Sequence, residues 1–129
     1  MGRIFGTIQV NGKRCRTLFD SGARNTYVSP EVAEGLPRSH LAVPRHTGLG
    51  GRVRIAAEIC VLAGALEGKQ IEMDAYVLDE IGSDDDGRAI DILLGALAMQ
   101  KWGIRLIPEE ERLDLSHYPE EFTEFAVFE

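Results

Sequence analysis

The chain has 129 residues, which suits a single domain with its own core, and its 44% hydrophobic and 27% charged residues are ordinary for a soluble globular protein. The formal net charge of −7 argues against nucleic acid as a partner, because phosphate binding needs a basic face. No uncharged run approaches the ~20 residues that span a bilayer, so we expect no membrane partner either.

Cysteine and histidine spacing excludes the common metal sites. Cys15 and Cys60 lack ligand spacing and a CxxC pattern, and the three histidines have no paired spacing. We therefore expect no metal or other cofactor. The chain begins without an apolar signal segment, so two free, buried thiols in a reducing cytoplasm are the expected state.

Alternating apolar residues and strong turn signals predict a mostly β domain. Residues 4–10 and 13–19 form a hairpin around Asn11-Gly12, whose residues accept the positive φ of a type I′ turn. Residues 41–62 form a second hairpin, with a glycine-rich tip at Gly48-Leu49-Gly50-Gly51. The other predicted elements are a short helix begun by Ser29 and Pro30, a strand over 71–78, a strand over 90–94, a helix over 96–102 ended by Gly103, and strands over 104–107 and 112–115.

The stretch Leu18-Phe19-Asp20-Ser21-Gly22-Ala23 is the main candidate for chemistry. Two apolar residues indicate the end of a buried strand, and an acid delivered there can occupy a partly dry site where its pKa is tuned. On its own the pattern fits a surface β-turn equally well, since Asp, Ser and Gly are all turn residues.

Two other features favour structural roles. The acidic loop at 79–87 does not fit a calcium-binding EF-hand, because the required glutamate would stand at Leu93, so we expect a solvated loop. Trp102 is most simply a core anchor.

The order of the motifs resembles that of the retropepsin-like aspartic proteases over residues 4 to 115. The motifs are Asp20-Ser21-Gly22-Ala23, the glycine-rich hairpin, and Ile92-Leu93-Leu94-Gly95 followed by a short helix and strands. The resemblance implies a mostly β, single-lobe, acid-protease-like closed barrel or sandwich with one short C-terminal helix. Such a domain would cover residues 1–116, and residues 117–129 would be an acidic aromatic tail with a frayed, disordered end.

The resemblance also implies roles for individual residues. Asp20 would be the catalytic carboxylate, Ser21 would bond across a dimer through its hydroxyl, and Gly22 would let the substrate backbone lie close. Substrate contacts would come from Ala23, Arg24, Gly48, Leu49, Gly50 and Gly51, the last four forming the tip of a flap. A groove lined by Leu49, Val53 or Ile92 would favour apolar substrate side chains.

The sequence departs from the family pattern at Arg24 and Ala96. Retroviral members often carry an acid at the first of these places and an arginine at the second, and the two form an ion pair. Both partners are missing here, so no stranded charge is left, but the usual dimer brace is absent. Arg24 beside the cleft either favours an acidic substrate side chain or is simply solvated.

Peptide hydrolysis by this route needs two carboxylates, and the chain has a single Asp-Ser-Gly. The second must come from another copy across a two-fold axis, with the last strand pair and the N-terminal strand as the natural place for contact. The sequence thus predicts a homodimeric aspartic endopeptidase acting on a peptide or protein substrate. The alternative is a non-catalytic dimer that holds an extended peptide in the same groove.

Overall fold

The computed structural model describes residues 2–122 and 124. Within them, strands dominate and the two α-helices are short. The elements are β1 (Arg3–Val10), β2 (Lys13–Asp20), β3 (Tyr27–Val28), α1 (Pro30–Ala33), β4 (Arg38–Leu49), β5 (Arg52–Leu66), β6 (Lys69–Val77), β7 (Ile92–Leu94), α2 (Ala96–Trp102), β8 (Arg105–Ile107), a 3₁₀ turn (Pro108–Glu110) and β9 (Arg112–Asp114). The predicted fold class is confirmed.

Seven strands form one sheet in the order β1-β2-β7-β3-β6-β5-β4, and β1 also pairs with β5. This last pairing, Gln9 with Ala65, closes the sheet into a barrel and leaves β4 outside the closed ring. Gly64 lies at the closure, where an added Cβ would stand 2.7 Å from the Gln9 carbonyl oxygen. The strands can approach this closely because Gly64 has no side chain.

The predicted turns are confirmed, with one adjustment at the second hairpin. Asn11-Gly12 takes positive φ values of 51° and 79°, as a type I′ turn requires. The second hairpin is longer than predicted, because β4 and β5 extend over Arg38–Leu49 and Arg52–Leu66. Its tip is narrower, since Gly48 and Leu49 belong to β4 and only Gly50-Gly51 makes the turn.

Trp102 is the core anchor that the sequence predicts. It is 3% exposed, and its indole N–H donates to the Glu72 carbonyl oxygen at 2.8 Å. The first part of the predicted tail covers it, because the rings of Tyr118 and Phe122 lie 5.9 and 5.6 Å away. The predicted frayed end, with Phe125 and Phe128, lies outside the described residues.

The solvated-loop prediction for residues 79–87 is wrong at Asp84, which is buried. Its carboxylate accepts from the backbone N–H groups of Asp86 and Arg88 and from Arg16 Nε, each at 2.9 Å. Burial raises the pKa of Asp84, but these backbone bonds and the Arg16 guanidinium together outweigh burial and lower the pKa. The loop is therefore tied to β2 through Arg16.

The two cysteines are free and buried, as predicted, and burial raises the pKa of Cys60 to about 11. Among the helices of the described residues, none has the length and apolar character needed to cross a membrane.

Candidate active site

Asp20 ends β2 with its carboxylate at the barrel surface. Phe19, directly before it, is fully buried, whereas the Asp20 side chain is 19% exposed. The Gly22 N–H donates to Asp20 Oδ1 at 2.8 Å, and Arg3 Nε lies 3.9 Å from Oδ2. The apolar strand therefore presents a partly shielded carboxylate, which a surface turn would not provide.

Ser21 is bonded to the start of its own chain. Its hydroxyl accepts from the Gly2 N–H at 3.0 Å and donates to the Gly2 carbonyl oxygen at 3.2 Å. The Ser21 N–H also donates to that oxygen, at 3.2 Å. The N-terminal strand thus reaches the residue next to Asp20.

The segment that follows Asp20, residues 20–26 and here called the Asp20 loop, packs against the junction of β7 and α2. The Gly95 N–H donates to the buried Thr26 hydroxyl at 3.2 Å. An added Cβ at Gly95 would stand 2.2 Å from the Asn25 carbonyl oxygen, which no side chain permits. The glycine of the Leu94-Gly95 motif is therefore required by the close approach of the loop backbone.

Backbone hydrogen bonds connect the two positions that lack the family ion pair. The Ala96 N–H donates to the Ala23 carbonyl oxygen at 2.7 Å, and the Leu97 N–H donates to that of Arg24 at 3.1 Å. The Arg24 side chain is exposed and makes no salt bridge within the described residues. Backbone hydrogen bonds thus join the Asp20 loop to the start of α2, although the acid and the arginine of the family ion pair are missing.

The side of the sheet that carries Asp20 also carries a second apolar cluster, separate from the main core. Leu18 and Asp20 point to the same face of β2, because side chains alternate along a strand. Leu18 pairs with Leu93 of β7. The cleft cluster, as we call it, comprises Leu18, Tyr27, Ala56, Leu78, Ile81, Ile90 and Leu93, with Phe5, Ala23, Leu49 and Tyr76 packed against it.

The outer half of the β4–β5 hairpin, residues 45–56 and here called the arm, packs on the cleft cluster through one face. Ala56 is 1% exposed, Leu49 is half-buried there, and the hydroxyls of Thr47 and Tyr27 are 2.9 Å apart. The arm therefore lies over the face that carries Asp20.

The groove residues expected from the resemblance are only partly in place. Leu49 packs against the cleft cluster, but Val53 lies on the outer face of the arm and is 74% exposed. Ile92 is fully buried in the main core, because neighbouring residues of β7 point to opposite faces. The expectations for Val53 and Ile92 are therefore wrong.

The arginines on the inner face of the arm are not among the site residues predicted from the sequence. Directly opposed residues in an antiparallel pair share a face. The pairs are Arg45 with Ala56, Thr47 with Arg54, and Leu49 with Arg52. Because Ala56, Thr47 and Leu49 face the cleft cluster, the three arginines are on that side too. The available signal was the run between Glu34 and Glu58, which contains four arginines and no acid.

The inner face of the arm borders a cavity of about 210 Å³ beside the cleft cluster. The lining residues are Asn25, Tyr27, Arg45, His46, Thr47, Ala56 and Tyr76. Within the described part of the chain, no group of three acids, histidines or cysteines has a geometry that would hold a metal ion.

Comparison with known proteins agrees with this geometry. A family model described as aspartyl protease matches residues 6–97, which include the Asp20 loop, the arm and Gly95. DNA damage-inducible protein 1 of Cryptococcus neoformans is 30% identical over 92 residues, 71% of this chain and 20% of that protein. The Neurospora crassa protein of the same name is 27% identical over 106 residues, 77% of this chain and 23% of its own. The chain thus spans about a fifth of the length of these relatives.

Two solved structures have the same fold. The retroviral protease-like domain of Ddi1 from Leishmania major aligns with a TM-score of 0.64 at 17% identity, over 90% of both chains. EIAV protease, solved with the inhibitor HBY-793, aligns with a TM-score of 0.53 at 19% identity, over 82% of this chain and 93% of that one. The family match shows that the chain belongs to the aspartyl protease family, and the two structural matches show that it has the retropepsin-like fold.

Proposed function

We propose that this chain is an aspartic endopeptidase that acts as a homodimer, with a water molecule activated between two Asp20 carboxylates. The observation that carries the proposal is the Asp20 carboxylate at the end of a buried strand, beneath an arm that packs on the same face. A carboxylate so placed has access to a bound peptide and partial shielding from solvent.

The chemistry requires the two carboxylates to be in different states. One, ionised, takes a proton from water, and the other, protonated, polarises the carbonyl of the scissile bond. Two carboxylates that share a site cannot both ionise easily, so the dyad holds one proton over an acidic pH range. We therefore expect activity to be higher below neutrality than above it.

The remaining residues of the loop and the arm would hold the peptide. Gly22 and Ala23 leave room for an extended backbone beside Asp20, and Arg24 is exposed next to them. The Gly50-Gly51 turn, with Gly48 and Leu49 before it, would cover the peptide as a flap. The two-residue turn has no side chains beyond Cα, so it can approach a substrate backbone closely.

The dimer face proposed here combines the N-terminal strand with the last strand pair. Gly2, bonded to Ser21, also lies against Leu106 and Pro108, since an added Cβ would stand 3.2 Å from each. β8 pairs only with β9 in the described chain, which leaves strand edges for a second copy. This face adjoins Ser21, as a two-fold axis between two copies of Asp20 requires.

The test uses the purified protein with a denatured protein substrate and a peptide library between pH 4 and 7. We expect cleavage that disappears in both Asp20→Ala and Asp20→Asn, together with a dimer by sedimentation equilibrium. A monomer that cleaves, or a rate that still rises at pH 9, would contradict the proposal. Peptide binding by a dimer with no cleavage at any pH would identify the non-catalytic binding module instead.

A further inference from the structure

We propose that the arm selects acidic peptides. Arg45 and Arg54 bind a carboxylate side chain of the substrate, and this side chain belongs to a residue before or after the scissile bond. This inference rests on the proposed function, because it names the substrate class of the same cleft. Its basis is the distribution of charge on the arm and the surroundings of two guanidinium groups.

The charge of the arm is opposite to that of the whole chain. The net charge is −7, yet the run between Glu34 and Glu58 carries four arginines and no Asp or Glu. Three of these arginines share the inner face of the arm with Leu49, Thr47 and Ala56. A cleft bordered by one sign of charge attracts ligands of the other sign and excludes its own.

The arm arginines have no anionic partner among the residues that the structure describes. The salt bridges found there involve other cations, so Arg45, Arg52 and Arg54 are not neutralised within that part of the chain. By contrast, Arg16 and Arg88 both contact Asp84, and Arg112 contacts Glu110. Arg14, Arg24 and Arg105 also lack a salt bridge within the described residues, so the arm differs from the rest of that part of the chain in placing three unpaired guanidinium groups on one face beside the cleft.

Arg54 carries the strongest sign of a missing ligand. The residue is half-buried, and its Nε is inaccessible to solvent with no hydrogen-bond acceptor among the described residues. A buried donor without an acceptor is unfavourable, so the site gains if a ligand supplies an acceptor when the arm, which is held by few contacts, opens to admit it. A carboxylate is the natural complement, because guanidinium binds it through two parallel hydrogen bonds.

The cavity beside Arg45 is suited to a polar side chain. It is bordered by the hydroxyls of Tyr27 and Thr47, by Asn25 and by His46, as well as by Arg45. Arg45 lies five residues before Gly50, so it is ~16 Å along the strand from the tip. A carboxylate held there would lie in a flanking residue of the substrate, away from the negative charge of the dyad.

The experiment compares peptides that differ only in glutamate or glutamine. Starting from a cleaved peptide without acids, each of the four residues on either side of the scissile bond is replaced in turn by Glu and by Gln. We expect kcat/KM to favour Glu over Gln by about tenfold or more in at least one position at low ionic strength. The ratio should fall as salt is raised, because screening weakens the attraction.

Three variants locate the effect. Arg54→Gln and Arg45→Gln should each reduce the Glu/Gln ratio of kcat/KM several-fold, and Arg54→Lys should retain part of it because the charge remains. Arg14→Gln is the matched control: Arg14 is exposed on β2 and six residues before Asp20, so its loss should leave the ratio unchanged. Circular dichroism checks that each variant is folded, and Arg45, being exposed, is expected to tolerate replacement.

A binding measurement separates this inference from the proposed function. Fluorescence anisotropy with Asp20→Asn protein and labelled Glu and Gln peptides reports selection without hydrolysis. Equal affinities and equal kcat/KM for the two peptides would overturn the inference and leave the protease intact. A tenfold preference in binding, with no hydrolysis by the unmodified protein, would support the inference and overturn the proposed function. Binding of neither peptide would count against the inference.

Discussion

The Asp20 loop and the arm contact the same apolar cluster but are held in different ways. The N–H groups of Gly95, Ala96 and Leu97 donate hydrogen bonds to the loop, the first to the Thr26 hydroxyl and the others to backbone carbonyl oxygens, and Gly95 has no room for a Cβ. The arm touches the cluster through Ala56, Leu49 and one hydroxyl pair, and nothing lies within 4 Å of a Cβ added at its glycines.

The difference separates two requirements of the proposed enzyme. A catalytic carboxylate must be held in one geometry, which favours a loop fixed by many mutually dependent contacts. A segment that covers different peptides must be able to move, which favours few contacts and a glycine turn. Stability should therefore depend on the contacts of the loop and much less on those of the arm.

The largest effect is expected for Gly95→Ala. The new methyl group would stand 2.2 Å from the Asn25 carbonyl oxygen, so the loop must shift. We expect a loss of about 3 kcal/mol or more in the free energy of unfolding, measured in urea. The matched variant Gly48→Ala, in open space on the arm, should change it by less than about 1 kcal/mol. Similar losses of stability in both variants would show that the loop is not held more tightly than the arm.

A smaller effect is expected for Thr26→Val, which keeps the shape but removes the hydroxyl. The buried Gly95 N–H would lose its acceptor, at a cost of about 1–3 kcal/mol in the free energy of unfolding. Thr47→Val on the arm is the control, because it removes a hydroxyl from a half-buried residue whose hydrogen bond with Tyr27 is only partly buried. A cost no larger for Thr26→Val than for Thr47→Val would show that the loop is not the more constrained segment.

Low pH tests a further contact of the strand that carries Asp20, because the carboxylate of Asp84 ties the 79–87 loop to that strand. The folded state lowers its pKa from the ordinary value of 3.8, so its contribution to stability is complete above pH 3.8 and is lost as pH falls through the lower, folded-state value. Asp84→Asn should therefore lower Tm at pH 7, and the gap from the unmodified protein should narrow toward pH 3. Asp85→Asn is the control: Asp85 is exposed, so this variant should have the same Tm as the unmodified protein at pH 7. An equal loss of Tm in the two variants would exclude this role for Asp84.

The smallest effect is expected for Tyr27→Phe, which removes the hydroxyl bonded to Thr47 at the base of the arm. We expect a stability loss of about 1 kcal/mol, because one partly buried hydrogen bond is removed. The clearer readout is hydrogen exchange, which should become faster in residues 45–56 and remain unchanged in residues 20–26. Equal acceleration in both segments would mean that the arm and the loop open together.

The sequence alone predicted most of the fold because its signals are local. Asn11-Gly12, Ser29-Pro30 and Gly103 fix turns and helix ends through their own backbone preferences, and each is where it was expected. Strand β7 is shorter than the predicted strand over 90–94, because Ile90 and Asp91 precede it without joining the ladder. Pattern alone cannot distinguish a buried apolar run from a strand of the same composition.

The features that the sequence did not predict depend on distant contacts. Asp84 looked like one acid in a polar run, and its burial follows from Arg16, 68 residues earlier. The face of the arm that each arginine occupies depends on the register between β4 and β5. A glycine-rich tip of four residues does not specify which two of them form the turn, so the sequence does not determine that register. A shift of one residue would have exchanged the two faces.

The alternation along β5 has a practical consequence for protein engineering. Arg52, Arg54 and Ala56 face inward, while Val53 and Ile55, 74% and 60% exposed, face outward. Polar replacements at the two outward sites would change how the purified protein behaves at high concentration without altering the surface offered to a peptide. Solubility and peptide preference can thus be adjusted on one strand, independently of each other.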